Sequence, residues 1–90
     1  IEVDDLVPDS TDYAVRVNGD SMLPRFVDQQ IIFIHEQPVI NEGEVGIFCL
    51  NNNAYLKKLG RNCLISLNPE YEPIPIREHD NFKVFGKVVG

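Results

Sequence analysis

A curled, mainly β fold of largely antiparallel sheets with little helix is what this 90-residue sequence predicts, and three observations carry that prediction. Apolar residues fall in short runs that either alternate with polar ones or are dense in β-branched and aromatic side chains, as strands require. Turn-forming residues punctuate these runs at short intervals. No segment keeps a helical apolar period through three turns, so a helix would have no continuous face to bury.

The elements follow in order. Tyr13, Val15 and Val17 alternate with Ala14, Arg16 and Asn18, the pattern of a half-buried strand that Gly19-Asp20 ends. Ser21 to Phe26 reads as a short helical or turn-like segment around Pro24, and Gln30 to His35 as a buried strand. Glu36 to Glu42 contains Pro38 and ends at Gly43, after which Glu44 to Leu50 returns to strand. Asn51, Asn52 and Asn53 form the strongest turn signal, because asparagine tolerates positive φ and bonds its own backbone. With Ala54 to Leu59 behind that turn, residues 44–59 should form a hairpin.

Gly60-Arg61-Asn62 makes a further turn and Cys63 to Leu67 the next strand. Asn68 to Pro75 holds Pro69, Pro73 and Pro75, each without a donor N–H, and is expected to wander irregularly over the surface. Phe82 to Val89 puts Phe82, Val84, Gly86 and Val88 on one face and Lys83, Phe85, Lys87 and Val89 on the other, which suits an edge strand.

Composition narrows the function classes. A chain of this length buries about 60% of its unfolded surface and has no room for a second core. With 43% apolar and 24% charged residues, and six each of Gly and Pro, it is globular. Fourteen acidic against eight basic residues give a net charge of -6, so phosphate backbones are repelled on average and this segment is not expected to bind nucleic acid.

The imbalance is local. Glu2, Asp4, Asp5, Asp9, Asp12 and Asp20 oppose only Arg16 in the first twenty residues, so residues 1–12 read as an acidic lead-in from an upstream hinge and 13–90 as the domain. No apolar run approaches the roughly 20 residues of a membrane helix. The sequence begins at Ile1 with neither an initiator Met nor a signal sequence, and is expected to be a piece of something longer. Cys49 and Cys63 lie in apolar runs and read as buried free thiols. His35 and His79 are far apart with no thiol or carboxylate at ligand spacing, so neither a metal nor a cofactor is expected.

One turn could carry chemistry. Ser21 follows a strand end and precedes Met22 and Pro24, an arrangement that exposes a hydroxyl beside unpaired backbone N–H groups. A serine hydroxyl needs a base, and no histidine is placed to serve. A lysine desolvated enough to lose its charge is the alternative. Lys57, amid Ala54-Tyr55-Leu56-Lys57-Lys58-Leu59 and on the face of Tyr55 and Leu59, is the candidate, mildly favoured over Lys58. Spacing alone leaves the bland readings open: a strand lysine is usually a solubility device, and a Gly-Asp-Ser turn is usually just a turn.

Longer segments go further. Val17-Asn18-Gly19-Asp20-Ser21-Met22-Leu23-Pro24 resembles the Gly-Asp-Ser-Met-x-Pro motif of the LexA, UmuD and phage-repressor family of Ser-Lys peptidases. Tyr55-Leu56-Lys57-Lys58-Leu59, Leu67-Asn68-Pro69-Glu70-Tyr71-Glu72-Pro73-Ile74 and Val84-Phe85-Gly86-Lys87-Val88-Val89-Gly90 resemble three further family segments in the same order. The resemblance covers nearly everything from Tyr13 onward.

It implies that Ser21 is the nucleophile, Lys57 the general base, and the backbone N–H groups of Asp20 and Ser21 the oxyanion donors, with Met22 and Pro24 shaping the turn and packing beneath it. It implies a β-rich fold of mixed sheets in the C-terminal domain of a cytoplasmic transcriptional repressor. That domain would form a homodimer, through the Phe82 to Val89 strand, and cut the repressor's own hinge in the SOS response when a RecA-type filament stabilises the cleavable form. DNA would be held by an upstream helix-turn-helix domain.

Two departures stand out. No Ala-Gly or Cys-Gly pair occurs in the chain, so a family-type scissile bond would lie upstream. Where the family commonly has Asp-Gly-Asp, this chain has Asp28-Gln29-Gln30, and the loss of a glycine able to take positive φ puts the shape of that turn in question. Two rival readings remain: a catalytically silent domain for dimerisation or antirepressor binding, and a signal peptidase, which would need a membrane anchor that this sequence does not contain.

Overall fold

The computed structural model describes residues 11–89, so the acidic lead-in lies almost wholly outside the described residues. Seven strands form: β1 (Tyr13–Arg16), β2 (Ile31–Glu36), β3 (Val45–Leu50), β4 (Asn53–Gly60), β5 (Cys63–Ile65), β6 (Ile74–Pro75) and β7 (Phe82–Val88). They make one sheet in the order β1-β2-β7-β3-β4-β5-β6, antiparallel at every pairing, with no α-helix among the described residues. The mainly β fold read from the sequence is present.

The curl shows at β3, whose Val-Gly-Ile-Phe-Cys-Leu run is buried on both faces. Val45 and Ile47 join one cluster with Val17, Met22, Phe26, Ile32, Ile34 and Val88, while Phe48 and Leu50 join another with Ile40 and Leu64. A strand covered on both sides needs no polar alternate, which is why this segment reads as a continuous apolar run. Phe48 is fully buried and stacks on Phe82 with ring centroids 5.7 Å apart.

The hairpin over 44–59 forms as the asparagines demand. Asn51 and Asn52 take φ of 50° and 70° between the paired residues Leu50 and Asn53, a two-residue turn whose twist matches that of its strands. Asn62, at φ 59°, serves the next turn. The strand after it stops at Ile65 rather than Leu67, and both cysteines are free and half-buried.

Two expectations are corrected. β7 is not an edge strand: it lies between β2, through Ile34↔Val88 and Glu36↔Gly86, and β3, through Gly46↔Lys87 to Leu50↔Phe82. Its face assignment also breaks, because the register slips at a bulge opposite Ile47 and Phe48 that leaves Phe85 without a β3 partner. Phe82 and Val84 therefore pack on the second cluster and Val88 on the first, although plain alternation puts all three on one face.

The proline-rich segment is likewise less irregular than expected. Ile74 and Pro75 form the outermost strand, an edge position where a residue with no N–H is tolerated.

Candidate functional site

Ser21 sits in the connection between β1 and β2, Lys57 in the middle of β4. The connection is a compact turn: the Leu23 N–H donates to the Asp20 carbonyl at 3.2 Å and the Phe26 N–H to the Met22 carbonyl at 3.0 Å. Met22, 2% exposed, and Phe26 anchor it in the first cluster. Pro24 follows a cis peptide bond and is exposed, so it does not pack beneath the turn.

The turn begins with Gly19 at φ 87°, whose N–H donates to the Asp28 carboxylate at 2.8 Å. Chiefly that bond holds the Asp28 carboxyl below its ordinary range. Gln29 itself takes φ 71° and donates its N–H to the Val17 carbonyl at 2.7 Å. The left-handed turn is therefore kept without a glycine.

Across the sheet, Lys57 lies opposite Gly46, which contributes no side chain to the shared face. A Cβ there would come within 2.4 Å of the Gly86 carbonyl oxygen, so the close approach of β7 to β3 also demands a glycine. Lys57 is 7% exposed, and burial pushes its amine below the ordinary lysine value, since a charge loses hydration there. Lys58 is only half-buried. Lys57 Nζ donates to Ser21 Oγ at 2.8 Å, a bond spanning 36 residues of sequence.

The pair borders a cleft of about 250 Å³, walled by residues 15–18, at the end of β1 and just past it, and by residues 54–57 of β4. As β1 is an outermost strand, its free edge faces no further strand among the described residues. The histidines are occupied elsewhere: His35 Nδ1 lies 3.0 Å from Asp12 and His79 Nε2 3.7 Å from Asp80.

Residues not singled out for the site also converge on it. Asn68, buried at 8% exposure, donates through Nδ2 to the Asp20 carbonyl at 3.0 Å and through its backbone N–H to the Ser21 carbonyl at 2.9 Å. The Tyr71 hydroxyl donates to the Asp20 carboxylate, and its ring lies 5.9 Å from Lys57 Nζ. The hydrogen bond to that carboxylate, more than its charge, pushes the phenol up, so it stays protonated and donating. The sequence flagged the Asn68–Tyr71 stretch but gave it only a structural meaning.

The result is a curled β domain presenting a hydroxyl and a buried amine in hydrogen-bond contact at a cleft. The model of the Peptidase S24-like family matches residues 1–89. The chain belongs to that family, and its relatives are of the LexA type. It is 35% identical over 83 residues to the LexA repressor of Oleidesulfovibrio alaskensis, covering 87% of this chain and 40% of that protein. It is 33% identical over 91 residues to the LexA repressor of Acetivibrio thermocellus, covering 96% of this chain and 42% of that protein. The chain thus spans about two fifths of the length of these relatives.

Proposed function

We propose that this chain is the self-cleaving and dimer-forming domain of a LexA- or phage-type repressor, with Ser21 as nucleophile and Lys57 as general base. One observation carries the reading: a buried lysine amine, displaced toward its neutral form, rests 2.8 Å from a serine hydroxyl at the rim of a cleft. Neutral Lys57 takes the Ser21 proton as Oγ attacks a peptide carbonyl. The oxyanion is met by the backbone N–H groups of Asp20 and Ser21, and the Lys57 ammonium returns its proton to the leaving amine. A water activated by the same amine then hydrolyses the acyl-serine. The free edge of β1 suits a substrate in extended form.

The acidic charge keeps DNA contact for residues outside this chain, and a RecA-type filament or an antirepressor would act on the domain. For the homodimer, the ladder of β7 with β2 spans only Gly86–Val88, so Phe82 to Phe85 keep one side unpaired among the described residues. Phe85, at 42% exposure, and Val39, at 71%, leave apolar surface there, and such an edge invites antiparallel pairing about a two-fold axis.

Full-length protein incubated at alkaline pH is the test. Wild type should fall into two fragments cut upstream of Ile1, and Ser21→Ala and Lys57→Ala should remain whole. If all three stay whole, the domain serves assembly or antirepressor binding and not cleavage.

A further inference from the structure

The backbone on either side of Ser21 is tied to one distant residue, by its side-chain amide on one side and its backbone N–H on the other. We infer that Asn68 is a positioning residue, gripping the peptide units before and after Ser21 so that its hydroxyl is aimed at Lys57; this rests on the Ser-Lys reading above. The Nδ2 bond to the Asp20 carbonyl and the N–H bond to the Ser21 carbonyl fall on two consecutive peptide planes. A trans peptide is rigid, so holding its carbonyl restrains the plane that carries it, and two restrained planes narrow φ and ψ of the residue between them. The Cα–Cβ bond of Ser21 is thereby held to a narrow range of directions, and χ1 is the main freedom left between it and Lys57.

The same grip sets an N–H. In a trans peptide the N–H points opposite the carbonyl, so holding the Asp20 carbonyl toward Asn68 turns the Ser21 N–H, one of the oxyanion donors named above, away from Asn68. Asn68 is itself fixed: Oδ1 accepts the Glu70 N–H at 3.0 Å, and its carbonyl accepts the Tyr71 N–H at 3.1 Å. A buried amide with its donor and acceptor both engaged has one orientation to offer. Tyr71 closes the strap from outside through the Asp20 carboxylate.

A misplacement of about 1 Å costs catalysis about a hundredfold, so the hold on Ser21 should appear in rate more than in stability. The experiment uses full-length protein and the pH profile of self-cleavage. Asn68→Leu keeps the backbone N–H bond and nearly the side-chain volume but removes both amide bonds. Its plateau rate should fall about 10- to 100-fold while the midpoint of the profile, set by Lys57, stays in place. Tyr71→Phe should fall less, by about 3- to 10-fold.

A folded Asn68→Leu protein whose plateau stays within about threefold of wild type overturns the inference, as does a moved midpoint with an unchanged plateau. If Asn68→Leu does not fold, Asn68→Ser is read by the same criteria. If wild type does not cleave at all, the Ser-Lys reading fails separately. A crystal structure of the variant then decides the positioning claim: Ser21 Oγ beyond about 3.5 Å from Lys57 Nζ supports it, and an intact bond overturns it.

Discussion

Replacing Lys57 by methionine removes the amine while keeping the length and burial of the side chain. A positioned base contributes about 10²- to 10⁴-fold, so Lys57→Met should slow self-cleavage by at least about a hundredfold at the plateau. In wild type only the neutral amine can accept the Ser21 proton. The rate should therefore climb about tenfold per pH unit until the depressed folded value of Lys57 is reached, then level off.

Stability should register the same group. The unfolded amine titrates near about 10.4 and the folded one lower, so between those values the unfolded chain binds more protons and stability rises with pH. Below the folded value the full cost of burying a charge is present, and above the unfolded value it is gone. Lys57→Met should accordingly gain most over wild type near neutral pH and lose that advantage as pH climbs through the window. Urea melts across a pH series read this slope, and gel-resolved cleavage reads the rate. A wild-type rate flat in pH, or a Lys57→Met rate within about tenfold of wild type, would refute the reasoning.

Other substitutions test the frame. Gln29 holds φ 71°, which costs a non-glycine residue about 1–2 kcal/mol, so Gln29→Gly should stabilise by about 0.5–1 kcal/mol after glycine's own entropy cost, read in chemical denaturation. Phe48→Ala empties a fully buried ring site stacked on Phe82 and should destabilise by about 3–5 kcal/mol, seen in the same melts. Phe85→Lys, at the exposed bulge of β7, should shift a dimer toward monomer by at least about tenfold in dissociation constant, measured by sedimentation, with little change in self-cleavage.

Local features were the legible ones. The alternation of Tyr13 to Val17, the triple asparagine and the doubly buried run before it each encode their own geometry, and β1, the hairpin turn and β3 follow from them. Ser21 and Lys57 stand out in the sequence because recognisable segments surround each, and the fold brings the two side chains into contact. What stayed hidden was non-local. The place of β7 between β2 and β3 depends on which edges remain open once the other strands have paired, and the bulge at Phe85 defeats any argument from alternation.

The contacts of Asn68 are hidden for a related reason. Asn68 opens a proline-rich run expected to be irregular surface, and nothing local shows that its amide spans 48 residues to reach the Asp20 carbonyl. Gln29 shows the converse. A residue that resists positive φ adopts it because the Val17, Gly19 and Asp28 bonds around the turn over-determine it.

The strand order also bears on synthesis. β7 leaves the ribosome after every other strand of the sheet, yet among the described residues it is the strand whose ladders join the β1–β2 pair to the β3–β6 meander. Hydroxyl and amine thus ride on parts of the sheet that no ladder among the described residues joins until that strand is made. Under the proposed Ser-Lys reading, the complete sheet, and with it the completed site, waits for the last of its strands.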